Sequence, residues 1–161
     1  MTAHTGTLAK VARFEEYLDR AVGEVFATMM NMACAPTEPK STSEREAIAA
    51  VIGLAGSMSG TLVLQSAGHT AIGMAERLCG TKSPALDATV RDAFGEICNM
   101  IAGAWKGLDA ELAGGCLLST PTVVAGSSYE IFSQRAPIRI ERSYDFAGQS
   151  FAITVFCELP A

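Results

Sequence analysis

The sequence lacks the features that mark several common classes of protein. Although 49% of its 161 residues are hydrophobic, no run approaches the ~18 uncharged apolar residues of a membrane-spanning helix. Residues 1–10 lack the apolar central region of a signal peptide. Acidic residues outnumber basic ones by 17 to 12, which argues against nucleic-acid binding because that needs a basic face. We therefore expect a cytoplasmic protein that binds neither membranes nor nucleic acid.

Cysteine and histidine are too scattered to predict a metal centre. His4 and His69 lie far apart in the sequence, and no two cysteines form a C-x-x-C pair. An odd number of cysteines without metal-ligand spacing is typical of reduced thiols, and we expect them to be small core residues. The cysteines are Cys34, Cys79, Cys98, Cys116 and Cys157. The sequence also shows no catalytic triad, no paired acids with a base and no nucleotide-binding fingerprint.

Hydrophobic periodicity predicts a long first helix over residues 7–33. Pro36 and Pro39 are expected to end this helix and to open a linker. The apolar stripe that recurs every three or four residues consists of Leu8, Val11, Phe14, Leu18, Val22, Val25, Met29 and Met32.

Two more helices are predicted in the middle of the chain. The first is short, over residues 70–79, and is closed by Gly80, because glycine is favoured just after a helix. The second is the longest in the chain, over residues 86–113, and stops at Gly114-Gly115.

Several β-type runs complete the pattern. AIAAVIGLAG and SGTLVLQS predict a hairpin around Gly56-Ser57. Four later runs are CLLST, SYEIFSQ, PIRIERSY and QSFAITVFCEL, and a turn at Gly148-Gln149 is expected to join the last two. Apolar and polar residues alternate in PIRIERSY and SFAITVF, as in strands with one buried face. We therefore predict one α+β domain over residues 1–161, with a mostly antiparallel β-sheet packed against two long helices.

The two long helices share a short sequence. Residues 21–27 read AVGEVFA and residues 93–99 read AFGEICN, and each helix precedes a block of strands. This similarity predicts two diverged copies of one unit, a helix followed by strands. The first copy has Glu24 but carries Ala27 where the second copy has Asn99.

A helical wheel at ~100° per residue separates an apolar from a polar side in the second long helix. The apolar side consists of Val90, Phe94, Ile97, Ile101, Trp105 and Leu108. The polar side consists of Asp92, Glu96, Asn99, Gly103 and Lys106. Glu96 and Asn99 are therefore expected on the outer face, with Cβ atoms ~5–6 Å apart.

Three glycines, Gly95, Gly103 and Gly107, lie within about 60° of this polar stripe. Each costs a helix interior ~1 kcal/mol relative to alanine, and core packing does not explain them because the core is on the other side. We interpret them as clearing space around Glu96 and Asn99 for an approaching backbone. A simple solvent-exposed face is the alternative, since E-x-x-N occurs by chance in many helices.

DAFGEICNMIAG at residues 92–103, followed by TPTVVAG at residues 120–126, resembles the CheC/CheX/FliY family of bacterial chemotaxis phosphatases. The resemblance is strongest to its CheX members and follows most of the chain in order. It implies a pseudo-duplicated CheC-like fold and a homodimer. CheC-type members have two E-x-x-N pairs and CheX members one, and this chain has one.

The resemblance implies that the protein dephosphorylates the aspartyl phosphate of a CheY-type response regulator. Glu96 would dock to the receiver's lysine, and Asn99 would orient the attacking water. We assign Asp92, Gly95, Gly103 and Lys106 to the surrounding partner-binding surface, and rim salt bridges explain Asp92 and Lys106 equally well. No cofactor is expected in this chain, because the receiver supplies its own Mg²⁺. We interpret the TPTVVAG segment as structural support for the site.

A second hypothesis is a non-catalytic docking module that binds a receiver domain or a flagellar switch component. Asn99 distinguishes the two hypotheses, because a module that only binds does not need a carboxamide at that position.

Overall fold

The computed structural model describes residues 2–40, 46–127 and 136–159. In chain order, its helices and strands are α1 (Thr2–Met30), β1 (Ala35–Thr37), β2 (Ala47–Gly56), β3 (Ser59–Ala67), α2 (Gly68–Cys79), α3 (Ala88–Gly107), α4 (Ala110–Gly115), β4 (Cys116–Leu118), β5 (Thr122–Gly126), β6 (Ile138–Phe146) and β7 (Gln149–Glu158). The predicted α+β class is confirmed.

The strands of the described residues form one sheet in which every pairing is antiparallel. The order is β1-β6-β7-β3-β2-β4, and β5 pairs with β2 beside β4. The hairpins β2–β3 and β6–β7 meet at the centre, where β3 pairs with β7 from Ser59↔Glu158 to Ser66↔Phe151.

The sheet topology confirms the predicted duplication. Each long helix is followed by a short strand that pairs with the hairpin of the other copy. Strand β1, which follows α1, pairs with β6, whereas β5, which follows α3, pairs with β2. Neither copy therefore completes its part of the sheet alone.

The main core lies between the helices and one face of the sheet. The α3 residues Val90, Phe94, Ile97, Ile101 and Trp105 are buried as the wheel predicted. The ring of Trp105 meets that of Phe14 of α1 edge-on, with centroids 5.8 Å apart, and its Nε1 donates a hydrogen bond to the Phe14 carbonyl at 3.1 Å. This pair joins the two long helices through an aromatic contact and a satisfied buried donor.

The predicted buried stripe of α1 is wrong at two positions. Leu8 is 64% exposed and Met29 is 50% exposed, while Met30 is buried in the last turn. The wheel assumes one unchanging face, but α1 contacts α3, α2, β6 and β1 along its length. The helix also ends at Met30, before the prolines, because Asn31 adopts a positive φ of 51°.

The prediction of one continuous helix over residues 86–113 is also wrong. The chain forms α3 and then a separate short helix, α4, because Asp109 caps a new N-terminus. Its Oδ1 accepts hydrogen bonds from the backbone N–H of Glu111 at 2.9 Å and of Leu112 at 3.2 Å. Its Oδ2 lies 3.1 Å from Nη2 of Arg13, so the buried carboxylate is paired with a cation of α1.

The strand predictions on the described residues hold with small changes, except that Ala35–Thr37 forms strand β1 where a linker was predicted. The turn between β6 and β7 is formed by Ala147 and Gly148, with φ of 47° and 77°, and Gln149 already belongs to β7. Two successive positive φ values are typical of a type I′ hairpin turn. The predicted strand SYEIFSQ, at 128–134, lies outside the described residues.

All five cysteines are free, and the prediction that they are core residues is wrong for Cys79. Cys98, Cys116 and Cys157 are buried, Cys34 is partly buried and Cys79 is exposed. Burial raises the pKa of Cys98 to about 12 and that of Cys157 to about 11, so both thiols are protonated at neutral pH. Among the described residues, no helix has the length and apolar character needed to cross a membrane.

Asp109→Ala is expected to lower the free energy of unfolding by about 1–3 kcal/mol, because α4 loses its cap and Arg13 its buried partner. Urea unfolding measures this change. Asp92→Ala is the control, since Asp92 is exposed and has no ion pair within the described ranges, and its effect should stay within ~0.5 kcal/mol. Equal stabilities of the two variants would contradict the role of Asp109.

Candidate active site

Glu96 and Asn99 lie on the outward side of α3, as predicted. Glu96 is exposed and Asn99 is partly buried. Within the described residues, neither side chain makes a hydrogen bond or an ion pair. A carboxylate and a carboxamide one turn apart are thus both available to a partner.

The helix that carries this pair is fixed to the sheet from beneath. Ile97 and Cys98 are fully buried between Glu96 and Asn99, and the Cys98 Sγ donates a hydrogen bond to the Ala50 carbonyl of β2 at 3.6 Å. At the start of α3, the Asp87 carboxylate caps the helix by accepting from the backbone N–H of Val90 at 2.9 Å. The pair therefore stands on a rigid element.

Strand β5 and the residue before it form a wall beside the pair. A Cβ added to Gly95 would lie 3.2 Å from Cγ2 of Val123 and 3.5 Å from Cγ of Pro121. A larger residue there would press against Val123, because the TPTVVAG segment packs closely on the helix. Gly95 is buried in this contact. The prediction that Gly95 keeps this face open for a partner is therefore wrong.

The other two glycines fit the prediction of an open face. A Cβ added to Gly103 or Gly107 would meet no atom within 4 Å. Gly103 lies one turn beyond Asn99 on the same side of α3. The helix surface next to the Asn99 carboxamide therefore carries no side chain at Gly103, and the space above it is open.

The two charged residues predicted to flank the site, Asp92 and Lys106, differ in their contacts with the rest of the chain. Asp92 is exposed and lies one turn before Glu96, so this part of the helix carries two negative charges. Lys106, by contrast, makes hydrogen bonds to backbone carbonyls of its own chain. Its Nζ donates to the carbonyl of Cys116 at 2.6 Å and lies 3.5 Å from that of Ala113, where α4 passes into β4.

Within the described residues, no group of three or more His, Cys, Asp or Glu side chains is placed to hold a metal ion. The arrangement on α3 offers the Glu96 carboxylate with Asp92 one turn before it, the Asn99 carboxamide, and no side chain at Gly103. Asn99 can orient a water molecule, and the Glu96 carboxylate can bind a cation.

The corresponding face of α1 lacks part of this arrangement. Glu24 and Ala27 are both exposed, so the first copy presents a carboxylate without the carboxamide. A Cβ added to Gly23 would meet only the Cys34 carbonyl, at 3.9 Å. The first copy therefore has neither the second polar group nor a wall as close as that of the second.

Comparison with known proteins decides the family. A family model described as chemotaxis phosphatase CheX matches residues 48–141, more than half of the chain. The chain belongs to this family. A comparison with curated protein sequences found no match.

Solved CheX structures share the fold over nearly the whole chain. CheX from Vibrio vulnificus is 23% identical with a TM-score of 0.78, over 92% of this chain and 98% of that one. CheX from Desulfovibrio desulfuricans is 22% identical with a TM-score of 0.75, over 91% and 99%. CheX in a CheX–CheY–BeF₃–Mg²⁺ complex from Borrelia burgdorferi is 19% identical with a TM-score of 0.70, over 89% and 96%.

Gly103→Ala is expected to raise the free energy of unfolding by about 1 kcal/mol, because alanine favours the helix and its Cβ enters open space. Gly95→Ala is the matched variant on the same helix. It should gain less or lose stability, since its Cβ lies 3.2 Å from Val123. Thermal unfolding of both variants tests this, and a destabilised Gly103→Ala would show that the surface beside Asn99 is not open.

Proposed function

We propose that this protein dephosphorylates the aspartyl phosphate of a CheY-type receiver domain by inserting the outer face of α3 into the receiver's active site. The observation that carries the proposal is the outward-facing Glu96–Asn99 pair, in which Glu96 is exposed and Asn99 is partly buried. Neither side chain has a partner within the described residues, and the opposite side of the helix is packed in the core. Membership of the chemotaxis phosphatase family supports the same activity.

Asn99 orients the attacking water. An acyl phosphate is already reactive, so catalysis needs mainly a water held in line with the phosphorus. A carboxamide accepts a hydrogen bond from water and donates another, but it is too weak a base to remove the proton. The open surface at Gly103 leaves room for the receiver's backbone beside this side chain.

Glu96 docks to the lysine of the receiver's active site. The carboxylate is exposed before binding, and Asp92 adds a second negative charge on the same side of α3. A cation buried against Glu96 in the complex would fix the position of the phosphate relative to Asn99. The two residues therefore divide the work between placing the receiver and placing the water.

The receiver contributes the remaining chemistry. Its Mg²⁺ and lysine neutralise the developing charge on the phosphoryl group. The structure of CheX with CheY, BeF₃ and Mg²⁺ from Borrelia burgdorferi supports a receiver partner of this kind. The metal requirement should thus belong to the partner and not to this chain.

Two further predictions belong to this proposal, a homodimer and action in the cytoplasm. Leu117 and Val124 expose apolar side chains on β4 and β5, at one edge of the described sheet. Unpaired edge strands favour pairing with another chain, which supports the homodimer.

Asn99→Ala is expected to slow the stimulated dephosphorylation by ~10²-fold or more, because the water is no longer positioned. Loss of label from a phosphorylated receiver measures the rate. Binding of the receiver and the thermal unfolding of the variant should stay as in wild type. Undiminished turnover in the variant would contradict the role of Asn99, and a wild type that binds without accelerating hydrolysis would favour the docking module.

Glu96→Gln is expected to weaken binding of the phosphorylated receiver by about 2–5 kcal/mol, because the receiver's lysine loses its partner in a desolvated contact. Titration with the receiver in the presence of BeF₃⁻ measures the affinity. Glu24→Gln is the matched control, since Glu24 has the same place in the first copy. Equal losses in both variants would mean that the site is not confined to α3.

A further inference from the structure

The corner between β4 and β5 contains an irregularity next to the wall of the site. Leu118 pairs with Leu54 of β2, and Thr122 pairs with Val51. Three residues, 119–121, therefore stand opposite two residues of β2, as in a β-bulge. Bulges redirect a strand, and here the redirected residues are those that reach Gly95.

Ser119 replaces a backbone hydrogen bond at this corner with its side chain. Its backbone N–H donates to the Gly53 carbonyl at 2.9 Å, as in an ordinary ladder. The return bond is different, because the N–H of Gly53 donates to Oγ of Ser119 at 2.8 Å. The same hydroxyl donates to the carbonyl of Thr120 at 3.0 Å. The Ser119 side chain thus provides the acceptor for the Gly53 N–H of β2 and holds the Thr120 carbonyl in place.

The position of the wall depends on this corner. Pro121 has no N–H and cannot anchor itself to β2 through a donor. Its ring nevertheless lies against Gly95, with Cγ 3.5 Å from where a Cβ would stand. The chain on one side of Pro121 is held by Ser119, and on the other side by the pairing of Thr122 with Val51.

The first copy provides an internal comparison. Its strand β1 lies in the sequence CAPT at residues 34–37, which corresponds to STPT at residues 119–122. Cys34 stands in place of Ser119, and within the described ranges it makes no hydrogen bond like those of the hydroxyl. The copy without the carboxamide therefore also lacks the clamp.

We propose that Ser119 is a positioning residue for the proposed phosphatase reaction. Its hydroxyl clamps the β4–β5 corner to Gly53 and so holds Pro121 and Val123 at a fixed distance from α3. The docked receiver then rests against this wall with its phosphate in line with Asn99. Ser119 does not touch the reacting atoms, and its effect passes through the wall. This inference rests on the proposed function.

Ser119→Ala and Ser119→Thr test the clamp in the full chain, since threonine keeps the hydroxyl. In Ser119→Ala the Gly53 amide should exchange with solvent at least tenfold faster, because its acceptor is gone, while Ser119→Thr should keep it protected. Exchange followed by NMR measures this without the receiver. Continued slow exchange in Ser119→Ala would overturn the clamp.

The kinetic test separates positioning from stability. Ser119→Ala should lower kcat on the phosphorylated receiver on the order of tenfold with KM within about twofold, and Ser119→Thr should restore kcat. An unchanged kcat in Ser119→Ala, or a loss that threonine does not restore, would overturn the positioning role. A wild type with no activity on any phosphorylated receiver would instead overturn the proposed function and, with it, this kinetic role.

Discussion

The burial of one side of α3 is the constraint on which the rest of the structure depends. The stripe from Val90 to Trp105 packs onto the sheet and α1, and no other face of the helix is apolar enough to replace it. Because successive side chains of a helix are ~100° apart, this packing fixes Glu96 and Asn99 on the outside. The side chains that carry the proposed chemistry are thus positioned by residues that take no part in it.

The duplication gives the first copy a structural role in the site. Strand β5 of the second copy pairs with β2 of the first, and this pairing brings Pro121 and Val123 against Gly95. The Ser119 hydroxyl also bonds to Gly53, which belongs to the first copy. The first copy, which carries Ala27 where the second copy has Asn99, therefore still builds one side of the site, because neither copy completes the sheet alone.

The proposed reaction suits a site with so few functional groups. An aspartyl phosphate is activated already, and in the proposed reaction the receiver would bring the metal and the lysine. In the proposed reaction this protein would add geometry: a carboxylate that selects the docking position and a carboxamide that holds a water. Geometry of this kind requires a rigid support, and the buried backing of Ile97 and Cys98 with the wall of β5 provides it.

The sequence by itself determined the α+β class, the hairpins and the outward direction of Glu96 and Asn99, because these follow from local periodicity. It also determined the duplication, because AVGEVFA and AFGEICN are similar. Tertiary structure alone decided the rest. Asp109 interrupts the predicted long helix because Arg13, distant in the sequence, compensates its buried charge. Gly95 and Lys106 were predicted to face a partner, yet each contacts a segment later in its own chain. A helical wheel contains no information about which strand covers a face, since that depends on pairing between residues far apart.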